Sequence, residues 1–382
     1  MNPLEGINYE AGENRFIKCE KVKSRLVYGD PENVPKPFVT VVVPTYRRVH
    51  LLKQALESII TQRETDFAWD IVVVDNEPDN GKENDTERLI RSLRNDRILL
   101  YRNSENIWAG DNFNRCILLA RGKWVMMLHD DDMLIANSLD SVGKLIKAYD
   151  TPHEPLGAIV ASYIQVEYDP RRDETKENIP ELNSYFSSLP VSYNLYRLTH
   201  NNVRFLSHVG GAAPTNGTTL LRQAVIDAGG FNEDWGISGD LILFYNLESK
   251  YAVYQTTSPL GFYRWGNNSM MESDSVMKVI RDNFYFREYI YKKSPIIGKL
   301  FRNCHYKYFA SFAIQERLNV CGEQIALSDY DSIYSKRPNA LWYLLYRTLI
   351  VKGYSFHKRI QSKKNEAAAQ KRMQRSKSLQ LL

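Results

Sequence analysis

The chain reads as an α/β protein: a mainly parallel sheet flanked by helices, with an α-helical extension toward the C-terminal end. Three observations predict this. Short apolar runs rich in β-branched residues (38–43, 71–74, 158–163) alternate with segments of helical periodicity. These runs are apolar at consecutive positions, as expected of strands covered on both faces rather than one. Two strand ends carry carboxylates, Asp75-Asn76 after one run and Asp130-Asp131-Asp132 after Trp124-Val125-Met126-Met127-Leu128. In open parallel sheets that rim is where ligands bind.

The elements follow in order. Residues 1–36 are polar and rich in proline toward their end, and predict a poorly structured lead-in. Residues 38–43 form the first strand, stopped by Pro44, with Thr45-Tyr46-Arg47-Arg48 as the next loop. Apolar residues at 51, 52, 55, 56, 59 and 60 make a helical stripe. A strand at 71–74, a polar helix at 85–94, a strand at 97–101 and a helix at 111–120 lead through Gly122 to the strand at 124–128. A helix at 137–149 and a strand at 158–163 follow, then an irregular, charged insertion at 167–190. Gly210-Gly211-Ala212-Ala213-Pro214-Thr215-Asn216-Gly217 is a Gly-rich loop before a short strand at 218–221, and it lacks P-loop spacing. A helix from Asp240 to Lys250, strands at 252–256 and 261–265, and helices at 274–293 and 299–320 complete the ordered body.

Three adjacent carboxylates repel one another unless a cation or strong donors compensate. A hard divalent ion, Mg²⁺ or Mn²⁺, is the natural partner, since such ions share their coordination between carboxylates and substrate phosphates. Asp130, Asp131 and Asp132 are the candidate metal ligands. Alternate residues of an extended segment point the same way, so Asp130 with Asp132 is the preferred pair. A solvated acidic turn is the plain alternative; Asp75 on the same rim argues for a metal-and-nucleotide site.

At 382 residues, with 43% hydrophobic and 25% charged residues, the chain has the composition of a soluble globular protein with ample core. No run approaches the roughly 18 apolar residues of a spanning helix, and the start does not read as a signal peptide. The four cysteines show no metal-ligand spacing. A cytoplasmic protein is expected. The net charge of +5 is uneven: residues 341–382 carry ten Lys or Arg against Glu366 alone, leaving a mildly acidic body.

With these residues on the page, the chain resembles the inverting family-2 glycosyltransferases of GT-A (Rossmann-like) fold over about residues 38–270. The matching pieces are Val41-Val42-Val43-Pro44-Thr45-Tyr46-Arg47, Asp70 to Asn76, Glu105-Asn106 with Asn114, Ala120 to Trp124, Leu128 to Asp132, Gly229-Gly230-Phe231-Asn232 and Gly239-Asp240. The resemblance implies transfer of a sugar from a nucleoside-diphosphate donor, usually uridine-based, to an acceptor hydroxyl in surface glycan synthesis. It implies that Pro44, Thr45 and Tyr46 pack against the nucleoside, that Asp75 with Asn76 reads the base, and that Asp111 and Asn114 belong to the donor site. Asp240 becomes the general base, with Gly239 standing where relatives carry Glu; a helix cap is its bland alternative. His129 is either a further ligand or a hydrogen-bonded neighbour of the ligands. Trp235 is either a stacking floor for an acceptor sugar or core. Arg264, near Asn267, is either a diphosphate clamp or an ordinary ion-pair residue.

The expected organisation is a lead-in (1–36), a glycosyltransferase domain (37–270), a helical extension (271–335) and an apolar, basic C-terminal segment (336–382). In that last segment Leu341-Trp342-Tyr343-Leu344-Leu345-Tyr346 precedes Lys352, Lys358, Arg359, Lys363 and Lys364. It suits a peripheral anchor on an anionic inner membrane face, or a helix packed on the body with a solvated tail. The acceptor is expected to be a growing surface glycan or a lipid-linked one. Nucleic acid is not an expected partner, since the tail contains no binding module. A sugar nucleotidyltransferase and a non-catalytic nucleotide-sugar-binding protein are the rival readings.

Overall fold

Continuous apolar runs along three neighbouring strands, buried on both faces, set the architecture. The structure is a computed structural model that describes residues 7, 9, 14–169, 172, 174–198, 215–265, 282, 285–286, 288–290, 303–304, 307–308 and 339–380. Helix α1 (Arg15–Cys19) and strand β1 (Ser24–Tyr28) come first, then β2 (Val39–Thr45), α2 (Val49–Ile60), β3 (Trp69–Asp75), α3 (Asp85–Leu93), β4 (Ile98–Asn103), α4 (Ala109–Leu119) and β5 (Trp124–Met127). Val39, Val41, Val43, Ile71, Val73, Trp124 and Met126 face one layer, covered by α2 and by α5 (Ser138–Tyr149). Val42, Val72, Val74, Val125 and Met127 face the other, covered by α4 and by the helix Gly239–Glu248. Strands sandwiched this way bury both sets of side chains, which is why their sequences show no polar alternation.

β4, β3, β2 and β5 pair in parallel. Beyond them the sheet is mixed rather than mainly parallel. After β6 (Met133–Leu134), β7 (Leu156–Asp169), β8 (Glu174–Thr175), α6 (Ile179–Ser188) and β9 (Leu195–Arg197), the short strand β10 (Thr219–Leu221) inserts antiparallel between β5 and β7. The order across the sheet is β1-β4-β3-β2-β5-β10-β7-β11-β6, with β11 spanning Ala252–Trp265. Three residues, Thr219-Leu220-Leu221, do not reveal strand direction, so the pattern of β10 is compatible with either sense.

Several local differences have physical causes. Pro44 does not stop β2. Val42 turns its carbonyl to Leu128 in the β5 direction and Thr45 turns its own to Asn76 beyond β3. By alternation Pro44 faces the β5 side, where pairing has ended, so its missing N–H breaks no ladder. The two strands expected at 252–256 and 261–265 are one strand, β11, whose register against β7 shifts around Pro259. The 167–190 insertion is not irregular: it holds the end of β7, β8 and α6, whose N-cap Asn178 accepts from the Glu181 N–H. Ile179, Leu182 and Phe186 of α6 pack on Met133, Ile135, Val166 and Phe262, beside the acidic loop.

The described residues of the lead-in pack on the body, with Tyr9 buried in the core. β1 pairs antiparallel with β4, and Phe16 of α1 enters the core. At the other end, helix Ala340–Leu345 and a π-helical turn Tyr346–Lys352 lead into the helix Gly353–Gln380. That last helix docks on the body: Asn365 donates to the Leu195 carbonyl at 3.0 Å, Arg372 to the Ala148 carbonyl at 2.9 Å, and Ala369 is fully buried. Residues 210–214, Asn267, and most of the helices expected at 274–293 and 299–320 lie outside the described residues.

Candidate active site at the carboxyl rim

β2, β3 and β5 end side by side, so Thr45, Asp75 and the loop 129–132 share one rim. The loop is a turn, not an extended segment: the Asp132 N–H donates to the His129 carbonyl at 3.2 Å. This overturns the alternation that paired Asp130 with Asp132. The group that converges is instead His129, Asp131 and Asp132, whose candidate ligand atoms lie within 4.8 Å of one another. Asp130 points to β2, accepting from the Thr45 hydroxyl at 2.8 Å and from the Tyr46 N–H. Arg48 spans the two, 3.0 Å from Asp131 and 3.5 Å from Asp130.

The electrostatics fit a hard cation. Asp132 is fully buried; one oxygen accepts from the Arg264 N–H at 2.8 Å, and Oδ2 has no hydrogen-bond partner. Burial, then the neighbouring Asp131 charge, holds its carboxyl well above the ordinary carboxylate range. Burial and Asp131 also push Asp130 up to about 6, against the opposing pull of Arg48 and Thr45. Burial lowers the His129 imidazole, favouring the neutral form that binds metals. An orphaned carboxylate oxygen beside a second carboxylate and a neutral imidazole is a donor set suited to Mn²⁺, and to Mg²⁺ with its preference for oxygen.

Asp240 enters the same rim from another part of the chain. It is the second residue of its helix, where a negative charge suits the dipole. Its carboxylate accepts the Thr215 N–H, and burial pushes it up to about 6. Thr215 in turn places its hydroxyl 2.9 Å from His129 Nε2, so one buried residue links the candidate base to the acidic loop. A Cβ built on Gly239 meets nothing within 4 Å, leaving open space where relatives are expected to carry Glu.

The remaining expected residues divide between the rim and its supports. Tyr46 is 39% exposed with the Arg47 guanidinium 5.2 Å from its ring centre, and Pro44 lies in β2 just before it. Asp75 is buried and raised by burial; it accepts from the Glu77 N–H and from Asn84. Asn76 is saturated internally, donating to Asn106 and the Ile107 carbonyl while accepting from Asn103 and the Ile107 N–H. Asn114 forms a reciprocal pair with the Phe231 backbone, both bonds 2.8 Å, and Gly230 at φ +74° leaves the room this needs. Asp111 is held by a bidentate pair with Arg15 of α1 at 2.7 and 3.1 Å. Arg264 is turned inward: it donates to the Asp131 carbonyl at 2.8 Å and to Gln54, and stacks on Tyr168, so it braces the acidic loop instead of facing an open crevice. Trp235 is 2% exposed and part of the core, which resolves its two readings against an open stacking floor.

Residues 40–212 match the family described as glycosyl transferase family 2. Over that stretch the chain matches the family-2 glycosyltransferases. The match stops short of the 38–270 stretch, so Asp240 lies beyond it. Among curated relatives, an uncharacterized glycosyltransferase of Methanocaldococcus jannaschii is 34% identical over 115 residues, covering 29% of this chain and 38% of that protein. A GalNAc(5)-diNAcBac-PP-undecaprenol β-1,3-glucosyltransferase of Campylobacter jejuni is 36% identical over 110 residues, covering 28% and 33%. The alignments therefore span well under two thirds of these relatives. A solved structure of S. aureus TarS 1–349 in complex with UDP aligns over 88% of this chain and 91% of that one, at 13% identity and a TM-score of 0.49.

Proposed function

We propose that this family-2 domain is a metal-dependent, inverting glycosyltransferase that uses a nucleoside-diphosphate sugar, of the uridine class. The observation carrying the reading is the convergence of His129, Asp131 and the orphaned Asp132 Oδ2 on the strand rim that Asp240 also reaches. A divalent ion held there by His129, Asp131 and Asp132 would stabilise charge on the departing diphosphate. Thr45 and Arg48 hold Asp130 and Asp131 in place. The Tyr46 face and the Asp75 rim are the proposed seat of the nucleoside.

Asp240 is the proposed base. The acceptor oxygen bonds to the anomeric carbon as the bond to the diphosphate breaks, and its proton passes to Asp240, inverting the centre. A carboxyl near 6 is a stronger base than an ordinary Asp, and is ionised at neutral pH. Thr215 supplies the orientation that the absent Glu at 239 does not. The proposed acceptor is a growing surface glycan, lipid-linked as in the Campylobacter relative, and the proposed compartment is the cytoplasm.

Thermal unfolding with nucleoside diphosphates and their sugars, with and without Mn²⁺, tests the reading. A ligand at 100 times its dissociation constant adds about 2.7 kcal/mol. A metal-dependent shift with uridine nucleotides is expected; no shift with any nucleotide would sink the donor site. The second reading, a non-catalytic nucleotide-sugar-binding protein, is favoured by Gly239. Asp240→Asn separates the two, with an expected loss of about 10²–10⁴-fold in turnover at unchanged nucleotide binding. A wild-type chain that binds donor yet transfers to no acceptor would favour the second reading.

A further inference from the structure

The C-terminal segment divides into two parts: a later one packed on the body, and an earlier one largely exposed around the buried Tyr346, whose ring meets Tyr308. From Ser362 onward the long helix is fastened to the body, with Ser362 and Ala369 buried and Asn365 and Arg372 bonded to backbone carbonyls of β9 and α5. Ahead of that fastening, large apolar side chains face outward: Leu341 is 64% exposed, Leu344 62%, Leu349 61% and Phe356 68%, with Trp342 and Ile360 also exposed. Elsewhere among the described residues only Ile17, Tyr46, Tyr185 and Leu189 are large, hydrophobic and exposed, and they are dispersed along the chain. Six in twenty residues is a concentration that soluble surfaces rarely carry without a partner.

Charge identifies the partner. Arg347, Lys352, Arg359, Lys363 and Lys364 are exposed within or beside the same stretch, and 341–382 contains one acid. A protein groove for an apolar helix would answer this uniform excess of cations only if it were itself acidic. A bilayer with anionic headgroups does, because apolar side chains enter the acyl boundary while Lys and Arg remain at the phosphate level. No helix among the described residues is long and apolar enough to cross a membrane, so this contact lies along the surface.

We infer that residues 341–360 dock this protein peripherally on an anionic lipid bilayer, with the 362–373 stretch as the rigid mount that fixes the body to that surface. The inference stands on exposure and charge in the C-terminal segment and is independent of the proposed transfer activity. None of its residues belongs to the acidic rim.

Co-sedimentation of the full chain with phosphatidylcholine vesicles, with and without about one third phosphatidylglycerol, tests it. The wild type should sediment with the anionic vesicles, and high salt should weaken the binding. Leu349→Glu/Phe356→Glu/Ile360→Glu, all exposed positions, should lower binding by roughly tenfold or more at an unchanged melting temperature. Lys352→Glu/Arg359→Glu/Lys363→Glu should do so only for anionic vesicles. Wild type that stays in the supernatant, or an apolar variant that binds as wild type does, overturns the inference. So does a wild-type dimer, lost in the apolar variant, that ignores vesicles, because the patch would then join two copies of the chain. Retained uridine-nucleotide binding in both variants keeps this result separate from the donor site.

Discussion

The two ends of the central strands each bury carboxylates, and they treat them differently. At the amino ends of β2 and β3, Asp70 accepts from the Thr40 hydroxyl at 2.6 Å and from Arg121 at 2.8 and 3.0 Å. Arg121 also donates to the Pro31 and Val34 carbonyls, and Thr40 accepts the Gly122 N–H. At the carboxyl ends, Asp130 and Asp131 share one partly exposed arginine, Arg48, while Asp132 accepts only the Arg264 N–H and keeps its other oxygen without a partner. A buried charge that is fully answered belongs to the fold. One left unanswered is maintained for something that arrives.

This contrast is open to direct attack. The largest effect is expected at the closed end: Asp70→Asn leaves Arg121 without its counter-charge and should cost about 3 kcal/mol of unfolding free energy in urea melts. The response of the protein to Mn²⁺ and nucleotide should survive it. Asp132→Asn should do the reverse. The metal-dependent increment with nucleotide, about 2.7 kcal/mol at 100 times the dissociation constant, should vanish while the metal-free protein is no less stable than wild type. If Asp132→Asn destabilises the metal-free protein as Asp70→Asn does, the distinction between the ends fails.

The smallest effect concerns pH. Asp130 and Asp240 are both pushed up to about 6, chiefly by burial, so the folded state holds their protons more tightly than the unfolded chain does. Stability from these groups is present at low pH and lost as pH rises through about 6. Metal-free unfolding curves should weaken between pH 5 and pH 7 by about 1 kcal/mol for each group. Mn²⁺ should flatten that slope through its effect on the acidic loop. A stability that rises over this window would count against the assignment.

Much of this was legible in the sequence. The doubly buried strands and α2, α4 and α5 announce themselves through apolar spacing, and the carboxylates at the ends of β3 and β5 mark the rim. What stayed hidden depends on distances in space. The i to i+3 bond that closes 129–132 into a turn swaps Asp130 for His129 in the converging group, and no composition signal distinguishes a turn from an extended stub. Arg15 and Asp111 lie 96 positions apart, so the arginine that answers Asp111 could not be found near it in the chain. Arg48 was visible as part of a basic loop, but its role follows only from the parallel pairing that brings β2 beside β5. Thr215 sat inside a Gly-rich stretch whose glycines drew attention away from its hydroxyl.

The strand β1 has a consequence for how this protein behaves in a concentrated solution. It forms the outer edge of the sheet: five residues, with a register shift before Tyr28 and the charged Arg25 half-exposed in an ion pair with Asp79. Short, bulged and charged edges resist pairing with other molecules. Directly beneath lies β4, whose Ile98, Leu99 and Leu100 are almost wholly buried. A protease that removed residues before 30 would bare that strand, converting a guarded border into a template for intermolecular sheet growth. The N-terminal segment thus acts as a guard against aggregation as well as the carrier of Arg15.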